Sequence, residues 1–443
     1  MSVKLLSAPI SCQWEVTPKC NYDCIHCYNH WRQSGNGFAI VANKKMVSLY
    51  GAAVREILAN QVFAVTVTGG EPLIVLDEIM PYLEQLHAGG VQVRLNSNLS
   101  ILTGEMAQSL KRVGVVSLLV SLPAGKEEVN DRITGRQGSF ARTVRGIKIA
   151  REAGFPVTVN MVVTKINLKL IYETAKLAAS LGIESFAATR ASIPGVGLDF
   201  SDYALSLEEF RFMLAELLRV KEELKLKVDS LEFYPPCSMS DSKARDFFRS
   251  RSCSAAKTNC TIGYDASVRP CSHATTGYGD IRDGLRQAWL AMGEWRSGEL
   301  LPVGCKTCAT QKHCGGGCRV EALLSKGSLN DQDPYCDYSQ LPLGLPSRKL
   351  DPVGLSEEYV FHSELKSREE NFGGILFISP SRWAPVKKEL YELAYRAEGG
   401  IITPRSLATV LGVSENDAAT TIAYLCAKKI LVERREKYHD RRN

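Results

Sequence analysis

The distribution of cysteine constrains this chain more than any other feature. There are fourteen among 443 residues, and they are not spread evenly. Cys20, Cys24 and Cys27 form one knot. Cys253, Cys260, Cys271, Cys305, Cys308, Cys314, Cys318 and Cys336 form a second, and Cys12, Cys237 and Cys426 are scattered. The first fourteen residues contain one early lysine and no long apolar region with a small-residue cleavage site, so the sequence reads as a mature cytoplasmic protein. Disulfides do not persist in that compartment. Clustered thiols there point to metal ligands rather than bridges.

The length suits two or three domains. A net charge of +6 is too modest to specify a nucleic-acid partner. No run of about eighteen uncharged apolar residues occurs, so no membrane span or membrane partner is expected.

Over residues 11–224 the pattern alternates strand and helix. β-rich runs fall at 12–16, 62–68, 91–96, 115–122, 157–163 and 185–189, with helical stretches at 47–59, 76–86, 104–113, 141–153 and 168–181. Such alternation predicts an α/β fold with a parallel sheet and crossover helices. Six strands are too few for the eight-stranded barrel, so a partial (β/α)6 barrel is expected over residues 1–226. Ser206-Leu-Glu-Glu209 is a capping box that opens a long helix. Residues 227–345 are rich in Gly, Pro and Cys with weak aliphatic periodicity, a segment for bound metal to hold together. A linker follows at 342–352. Periodicity returns over 346–443, with strands at 359–361 and 375–378 and a helix at 383–397. Thr403-Pro404 opens a short helix, Ser414 another, and 430–433 a last strand: a winged helix-turn-helix outline.

Cys20-Asn-Tyr-Asp-Cys24-Ile-His-Cys27 follows the first expected strand with the spacing C-x3-C-x2-C. Three thiolates in a tight loop can hold three irons of a [4Fe–4S] cube and leave the fourth open to a substrate. A zinc site completed by His26, His30 or a distant cysteine is the alternative for the triplet alone. The second strand then runs into Gly69-Gly70-Glu71-Pro72. Two glycines let backbone approach a ligand closely. Glu71 offers a carboxylate at a strand's C-terminal end, where α/β folds bind ligands.

Together the two motifs resemble the radical S-adenosylmethionine superfamily. The resemblance covers most of the first 225 residues. It implies that Cys20, Cys24 and Cys27 ligate a reactive [4Fe–4S] cluster, that Gly69, Gly70 and Glu71 hold the methionine end of S-adenosylmethionine, and that a 5′-deoxyadenosyl radical results. Ser121, ending the fourth strand, matches a cofactor-contact position, although Leu122-Pro123-Ala124 stands where the family has Asp-Gly. Asn130-Asp-Arg132 with Gly138-Ser-Phe140 also resembles a family motif, in which Arg132 would pair a carboxylate. Asn98 and Arg190 are further strand-end candidates.

Cys305-x2-Cys308-x5-Cys314-x3-Cys318, then Cys336, joins Cys253, Cys260 and Cys271 to give eight thiols, the number for two fully ligated cubes. Structural zinc is the alternative. This region resembles the SPASM domain of peptide-modifying radical enzymes. By that resemblance Cys253, Cys260, Cys271 and Cys318 hold the nearer auxiliary cluster, and Cys305, Cys308, Cys314 and Cys336 the farther, making three [4Fe–4S] clusters in all. Ala266 stands where the family often has Gly. Ser272-His273 stands where sulfatase-maturing relatives carry a catalytic Asp, which argues against that activity; His273 is a candidate base.

Arg368-Glu-Glu-Asn-Phe-Gly-Gly-Ile-Leu-Phe377 and the following helix resemble the peptide-recognition element of ribosomal-peptide maturases, which bind a leader peptide as an added strand. DNA binding, with residues 414–428 as recognition helix and Arg434, Arg435, Arg441 and Arg442 on phosphates, is a competing expectation. The sequence therefore predicts a radical enzyme of oxidoreductase type that crosslinks or oxidises a ribosomally made precursor peptide, served by a flavodoxin- or ferredoxin-like electron donor. An enzyme of haem or other small-molecule biosynthesis and a metal-dependent DNA-binding regulator are the alternatives.

Overall fold

A computed structural model describes residues 5–29, 44–193, 200–248, 251–340, 353–354, 357–396 and 400–434. The expected linker at 342–352, His30, Arg435, Arg441 and Arg442 lie outside the described residues. The chain divides into two compact units: Ser11–Leu345, and Met1–Ile10 together with Pro346–Asn443.

The larger unit runs β1 (Ser11–Glu15), α1 (Lys44–Ala59), β2 (Ala64–Thr68), α2 (Leu76–Ala88), β3 (Gln92–Ser97), α3 (Gly104–Arg112), β4 (Val115–Ser121), α4 (Glu127–Thr134), α5 (Ser139–Glu152), β5 (Val157–Val163), α6 (Ile171–Ser180), β6 (Ser185–Arg190), α7 (Leu207–Leu224) and β7 (Lys227–Asp229). It continues through α8 (Ser242–Phe248), β8 (Asn259–Ile262), β9 (Val268–Arg269), α9 (Leu285–Ala291), α10 (Glu294–Ser297), α11 (Gln311–Cys314) and α12 (Arg319–Lys326). The strands form one sheet in the order β7-β6-β5-β4-β3-β2-β1-β8-β9. Every pairing is parallel except β8 with β9. Strands that follow one another in sequence and stack in one direction, each returned by a helix, build the curved sheet of a partial barrel. β5, Val-Thr-Val-Asn-Met-Val-Val, is apolar on the face of Val157, Val159, Met161 and Val163 and sets Thr158 and Asn160 beside Val162 on the other.

Six strands were expected and the sheet has nine. β7 follows the capped helix α7, and β8 and β9 come from the cysteine-rich segment. That segment is therefore continuous with the barrel: β8 lies beside β1, with Cys12 opposite Cys260 and Trp14 opposite Ile262. Strands of two to four residues are too short to register as a period. A buried Glu15–Arg269 ion pair ties β1 to β9, and burial raises the Glu15 carboxyl to about 7 despite its arginine partner. No helix among the described residues is long and apolar enough to cross a membrane.

The smaller unit contains β10 (Tyr359–Phe361), β11 (Lys366–Glu370), β12 (Gly373–Ser379), β13 (Arg382–Val386), α13 (Lys388–Arg396), α14 (Pro404–Leu411), α15 (Glu415–Ala427) and β14 (Leu431–Glu433). β11, β12 and β13 form an antiparallel sheet and β10 pairs with β14. Leu376, Ile378, Ala384, Val386, Leu407, Ile422 and Leu425 belong to its core. The helix expected from residue 383 starts later. Residues 382–386 alternate in burial as a strand, and Pro385 cannot serve a helix interior. Thr403 and Ser414 cap α14 and α15, and Gly412 ends α14 in the left-handed region. β11, Lys-Ser-Arg-Glu-Glu, has no apolar pattern. It holds because Arg368 and Glu370 are buried as an ion pair, with the Arg368 guanidinium donating to the carbonyls of Ala8 and Pro9 and the Ser7 N–H donating to Glu370.

Candidate active site

The chain just before the first cysteine is zipped to the end of β2. Gly70 N–H donates to the Thr17 carbonyl and Glu71 N–H to the Lys19 carbonyl, both at 2.7 Å. A Cβ on Gly69 would lie 2.4 Å from the Thr17 carbonyl oxygen, and one on Gly70 only 1.9 Å from that of Lys19. The two glycines are thus required by the meeting of two backbones. The Asn29 amide donates to the Gly69 carbonyl at 3.0 Å, which closes the same junction from beyond Cys27.

Glu71 is 1 % exposed. Its carboxylate accepts from Leu73 N–H (3.0 Å), the Ser97 hydroxyl (2.7 Å) and Asn98 N–H (2.8 Å), so it bolts the end of β2 to the end of β3. Burial raises its carboxyl above the ordinary range while these donors oppose the rise. Asn98 carries the brace onward: its amide donates to Asn21 at 2.9 Å, and Asn21 donates to the Ser100 hydroxyl at 2.8 Å. Asn98 is therefore placed against the cysteine loop itself.

The loop's other side rests on α4 and α5. Asp23 N–H donates to the Thr134 carbonyl and Ile25 N–H to that of Ile133. Tyr22 hydroxyl donates to the Ser139 carbonyl. Within the Asn-Asp-Arg and Gly-Ser-Phe motif, Asp131 accepts from Gly138 N–H, the Ser139 hydroxyl and Phe140 N–H and so caps α5. Arg132 is exposed on α4. Ser121 is half-buried at the C-terminal end of β4, opposite Asn160 of β5, and the Leu122-Pro123-Ala124 that follows is buried.

Cys20, Cys24 and Cys27 come together. Burial, then the proximity of Cys27 and Cys20, pushes the Cys24 thiol up, and burial with Cys20 pushes Cys27 to about 12. Between them His26 is buried and its imidazole held down to about 4. His26 Nδ1 and Asn29 Oδ1 are buried without a hydrogen-bond partner in the protein. None of the fourteen cysteines forms a disulfide among the described residues. Converging thiols, orphaned polar atoms and a backbone junction open to no side chain fit a cluster with a polar ligand at the C-terminal edge of the sheet. Among the described residues, no group of three or more His, Cys, Asp or Glu side chains is placed to hold a single metal ion.

The second knot separates into groups that spacing did not anticipate. Cys253 lies near both Cys271 and Cys318. Cys260 is fully buried in β8 with its sulfur 3.5 Å from that of Cys12. Alternation places Cys260 and Ile262 on one face of β8. Arg269, two residues before Cys271, pairs with Thr261 of the other face. In the farther group Cys336 interacts directly with Cys305 and with Cys237, and Cys314 lies near Cys237 and Cys305. The interaction with Cys336 brings Cys305 down to about 6 against burial. Three successive left-handed glycines, Gly315, Gly316 and Gly317, turn the chain between Cys314 and Cys318, and the latter two direct N–H groups at the Cys314 sulfur. Burial pushes the Cys314 thiol up to about 12, and these N–H groups oppose the rise. Cys308 contacts the Thr310 hydroxyl at 3.2 Å. Cys237 carried no motif; only the structure brings it to the others.

Arg190, 3 % exposed at the end of β6, is the hub between barrel and cysteine-rich segment. It pairs with Glu321 of α12 at 3.1 Å and Glu232 at 3.2 Å, and lies 4.2 Å from the centre of the Tyr335 ring. His273 Nδ1 lies 3.3 Å from the Ser192 hydroxyl and 3.8 Å from Glu232, with its ring centre 4.4 Å from that of Tyr28. Tyr28 directly follows Cys27, so His273 borders the first cysteine loop.

Residues 14–178 match the model of the Radical SAM superfamily. The AdoMet-dependent heme synthase of Methanosarcina barkeri is 28 % identical over 354 residues, covering 76 % of this chain and 98 % of that protein. Mycofactocin maturase MftC of Mycobacterium tuberculosis is 29 % identical over 341 residues, covering 75 % of this chain and 83 % of that one. Streptococcus suis SuiB bound to S-adenosylmethionine shares the fold at a TM-score of 0.59 and 17 % identity, over 75 % of this chain and 78 % of SuiB. SuiB is also solved with its precursor peptide SuiA.

Proposed function

We propose that this chain, whose residues 14–178 match the Radical SAM superfamily, is a radical S-adenosylmethionine enzyme that matures a ribosomally made precursor peptide by crosslinking or oxidising it. One observation carries the site: the junction of Thr17 and Lys19 with Gly70 and Glu71, which sets three thiols at the C-terminal edge of the parallel sheet. Cys20, Cys24 and Cys27 would hold the [4Fe–4S] cluster. When bound, that cluster supplies the electron that cleaves S-adenosylmethionine to methionine and a 5′-deoxyadenosyl radical.

The chain's own part is placement. Gly69 and Gly70 fix the loop, Asn29 and His26 present unpaired polar atoms beside it, and Glu71 keeps two strand ends in register. Ser121 and Arg132 belong to this reading as cofactor contacts; the exposure of Arg132 makes it the more peripheral of the two. The cysteine-rich segment would hold two auxiliary clusters. His273, within hydrogen-bond distance of Ser192 and 3.8 Å from Glu232, is the candidate base. A flavodoxin- or ferredoxin-type donor would supply electrons.

MftC and SuiB, a maturase and an enzyme solved with a precursor peptide, support the peptide reading. The three-stranded sheet of the smaller unit offers edges to which a leader peptide could add as a strand. The heme synthase relative supports a second reading, a small-molecule tetrapyrrole substrate. DNA readout is disfavoured: α15 contains no Lys or Arg, and Arg434 pairs with Glu358 at 2.7 Å. Anaerobic incubation with a short peptide encoded beside this gene is expected to yield a product lacking two hydrogens by mass spectrometry. An unchanged peptide alongside a converted porphyrin would replace the first reading with the second.

A further inference from the structure

We infer that the basic outer face of α4 and α5 docks an acidic, flavodoxin-type electron carrier against the back of the first cysteine loop. The inference rests on the reading that Cys20, Cys24 and Cys27 hold a reducible cluster. It adds where the electron enters.

Between Glu128 and Glu152 the chain has six basic residues and one acid. That acid, Asp131, is engaged in capping α5. The whole chain has a net charge of +6, so this stretch alone holds most of the excess. Arg142, Arg145 and Lys148 recur every third residue and so neighbour one another along α5. Arg132 and Arg136 come from the end of α4 and the turn after it. Arg132, Arg136, Arg145 and Lys148 are exposed, and none of these five cations forms an ion pair among the described residues. On α7, by contrast, Arg219 is held by Glu216 and Glu223.

What lies behind this face separates it from a merely solvated one. The Ile133 and Thr134 carbonyls, between Arg132 and Arg136, accept from the Ile25 and Asp23 N–H groups at 3.0 and 2.8 Å. A Cβ on Gly135 would lie 2.9 Å from the Asp23 carbonyl oxygen. The Arg145 guanidinium reaches the Ser100 carbonyl at 3.5 Å, and the Ser100 hydroxyl accepts from Asn21, the residue after Cys20. One hydrogen-bonded layer therefore joins the patch to the loop. Flavodoxin-type carriers are acidic around their flavin, and attraction between complementary faces speeds encounter and sets orientation. One electron passes for each S-adenosylmethionine cleaved: the reduced flavin loses it and the cluster gains it. Charge alone would also attract nucleic acid; the cysteine loop behind the patch favours the carrier.

The test compares the full chain with a triple variant, Arg136→Glu, Arg145→Glu and Lys148→Glu; Arg132, a proposed cofactor contact, is left in place. One readout is the binding of oxidised bacterial flavodoxin to the immobilised chain. The other is 5′-deoxyadenosine release after anaerobic reconstitution, driven by flavodoxin with its NADPH-dependent reductase or by dithionite. At low salt the variant should lose about tenfold or more in flavodoxin affinity and in flavodoxin-driven rate. Its dithionite-driven rate should stay near the parent's, since a small ion needs no docking face. Raising ionic strength from about 0.01 to 0.15 M should slow the flavodoxin-driven parent and hardly affect the variant. The matching glutamine triple should fall between the two. Unchanged flavodoxin binding and rate in the variant, an equal loss with dithionite, or a parent that takes electrons from dithionite but not from flavodoxin each overturns the assignment. So does a mixed-sequence DNA duplex held by the parent and lost by the variant while flavodoxin turnover is unaffected. A parent silent with dithionite as well overturns the cluster reading itself, and the binding readout then decides the surface.

Discussion

Gly70→Ala is expected to abolish cofactor binding and to strip the N-terminal cluster. The added methyl would lie 1.9 Å from the Lys19 carbonyl oxygen, 2.4 Å from its carbon and 3.0 Å from the Pro18 carbonyl oxygen. All three are backbone atoms, so no side chain can swing aside. Relief requires moving Pro18 and Lys19 by more than an ångström, which breaks the bonds from Gly70 to Thr17 and from Glu71 to Lys19. Lys19 precedes Cys20 directly. Misplacement by about 1 Å near reacting groups lowers rates about 100-fold, and here the displaced residue carries the cluster. Calorimetric titration of S-adenosylmethionine and iron analysis should both register the loss. Gly104→Ala is the control: a Cβ there meets nothing within 4 Å, and α3 should tolerate it with unchanged binding. Equal behaviour of the two variants would contradict the junction.

The second large effect is expected from Arg190→Leu. This guanidinium is buried between Glu321, itself 1 % exposed, and Glu232. Removing it leaves a carboxylate buried without its counter-charge, which destabilises by about 3–5 kcal/mol. For a unit of this size that is a fall of about 5 °C in apparent Tm. Glu321 lies three residues beyond Cys318, near the Cys253 group, so auxiliary iron should fall first while the N-terminal cluster persists. Arg190→Leu with Glu321→Leu should recover much of the lost stability, because only the more exposed Glu232 is then left without the guanidinium. A double variant no more stable than the single one would show that Arg190 acts through something other than this pair.

These sites divide into what a sequence displays and what only a fold assembles. The alternation of 11–224 was legible because parallel strands such as Val157–Val163 are mostly β-branched and apolar and their helices carry one buried stripe. The Ser206 and Thr403 caps were legible because capping is local chemistry. Three features were not. β8 and β9 have too few residues to show a period, so the cysteine-rich segment looked detached from the sheet it joins. β11 is written in charged residues, and its burial depends on Arg368 finding the carbonyls of Ala8 and Pro9, some 360 positions away. Cys237 has no cysteine neighbour in sequence, and Arg211 and Asp337 dock it from opposite sides in the chain.

The candidate site shows the same division. The cysteine triplet and Gly69-Gly70-Glu71 were visible as motifs. The hydrogen bonds from Gly70 and Glu71 to Thr17 and Lys19, just ahead of the triplet, were not. Glu71 was expected to help hold the methionine end; that its carboxylate also accepts from Leu73, Ser97 and Asn98 was not visible. Asp131, passed over in favour of Arg132, is the member of its motif that makes the contacts.

Reductive cleavage of S-adenosylmethionine tests the central claim most directly. The full chain, reconstituted without oxygen and given S-adenosylmethionine and dithionite, is predicted to release 5′-deoxyadenosine, and the Cys24→Ala variant none. A wild-type preparation with its iron and sulfide intact that releases none would contradict it.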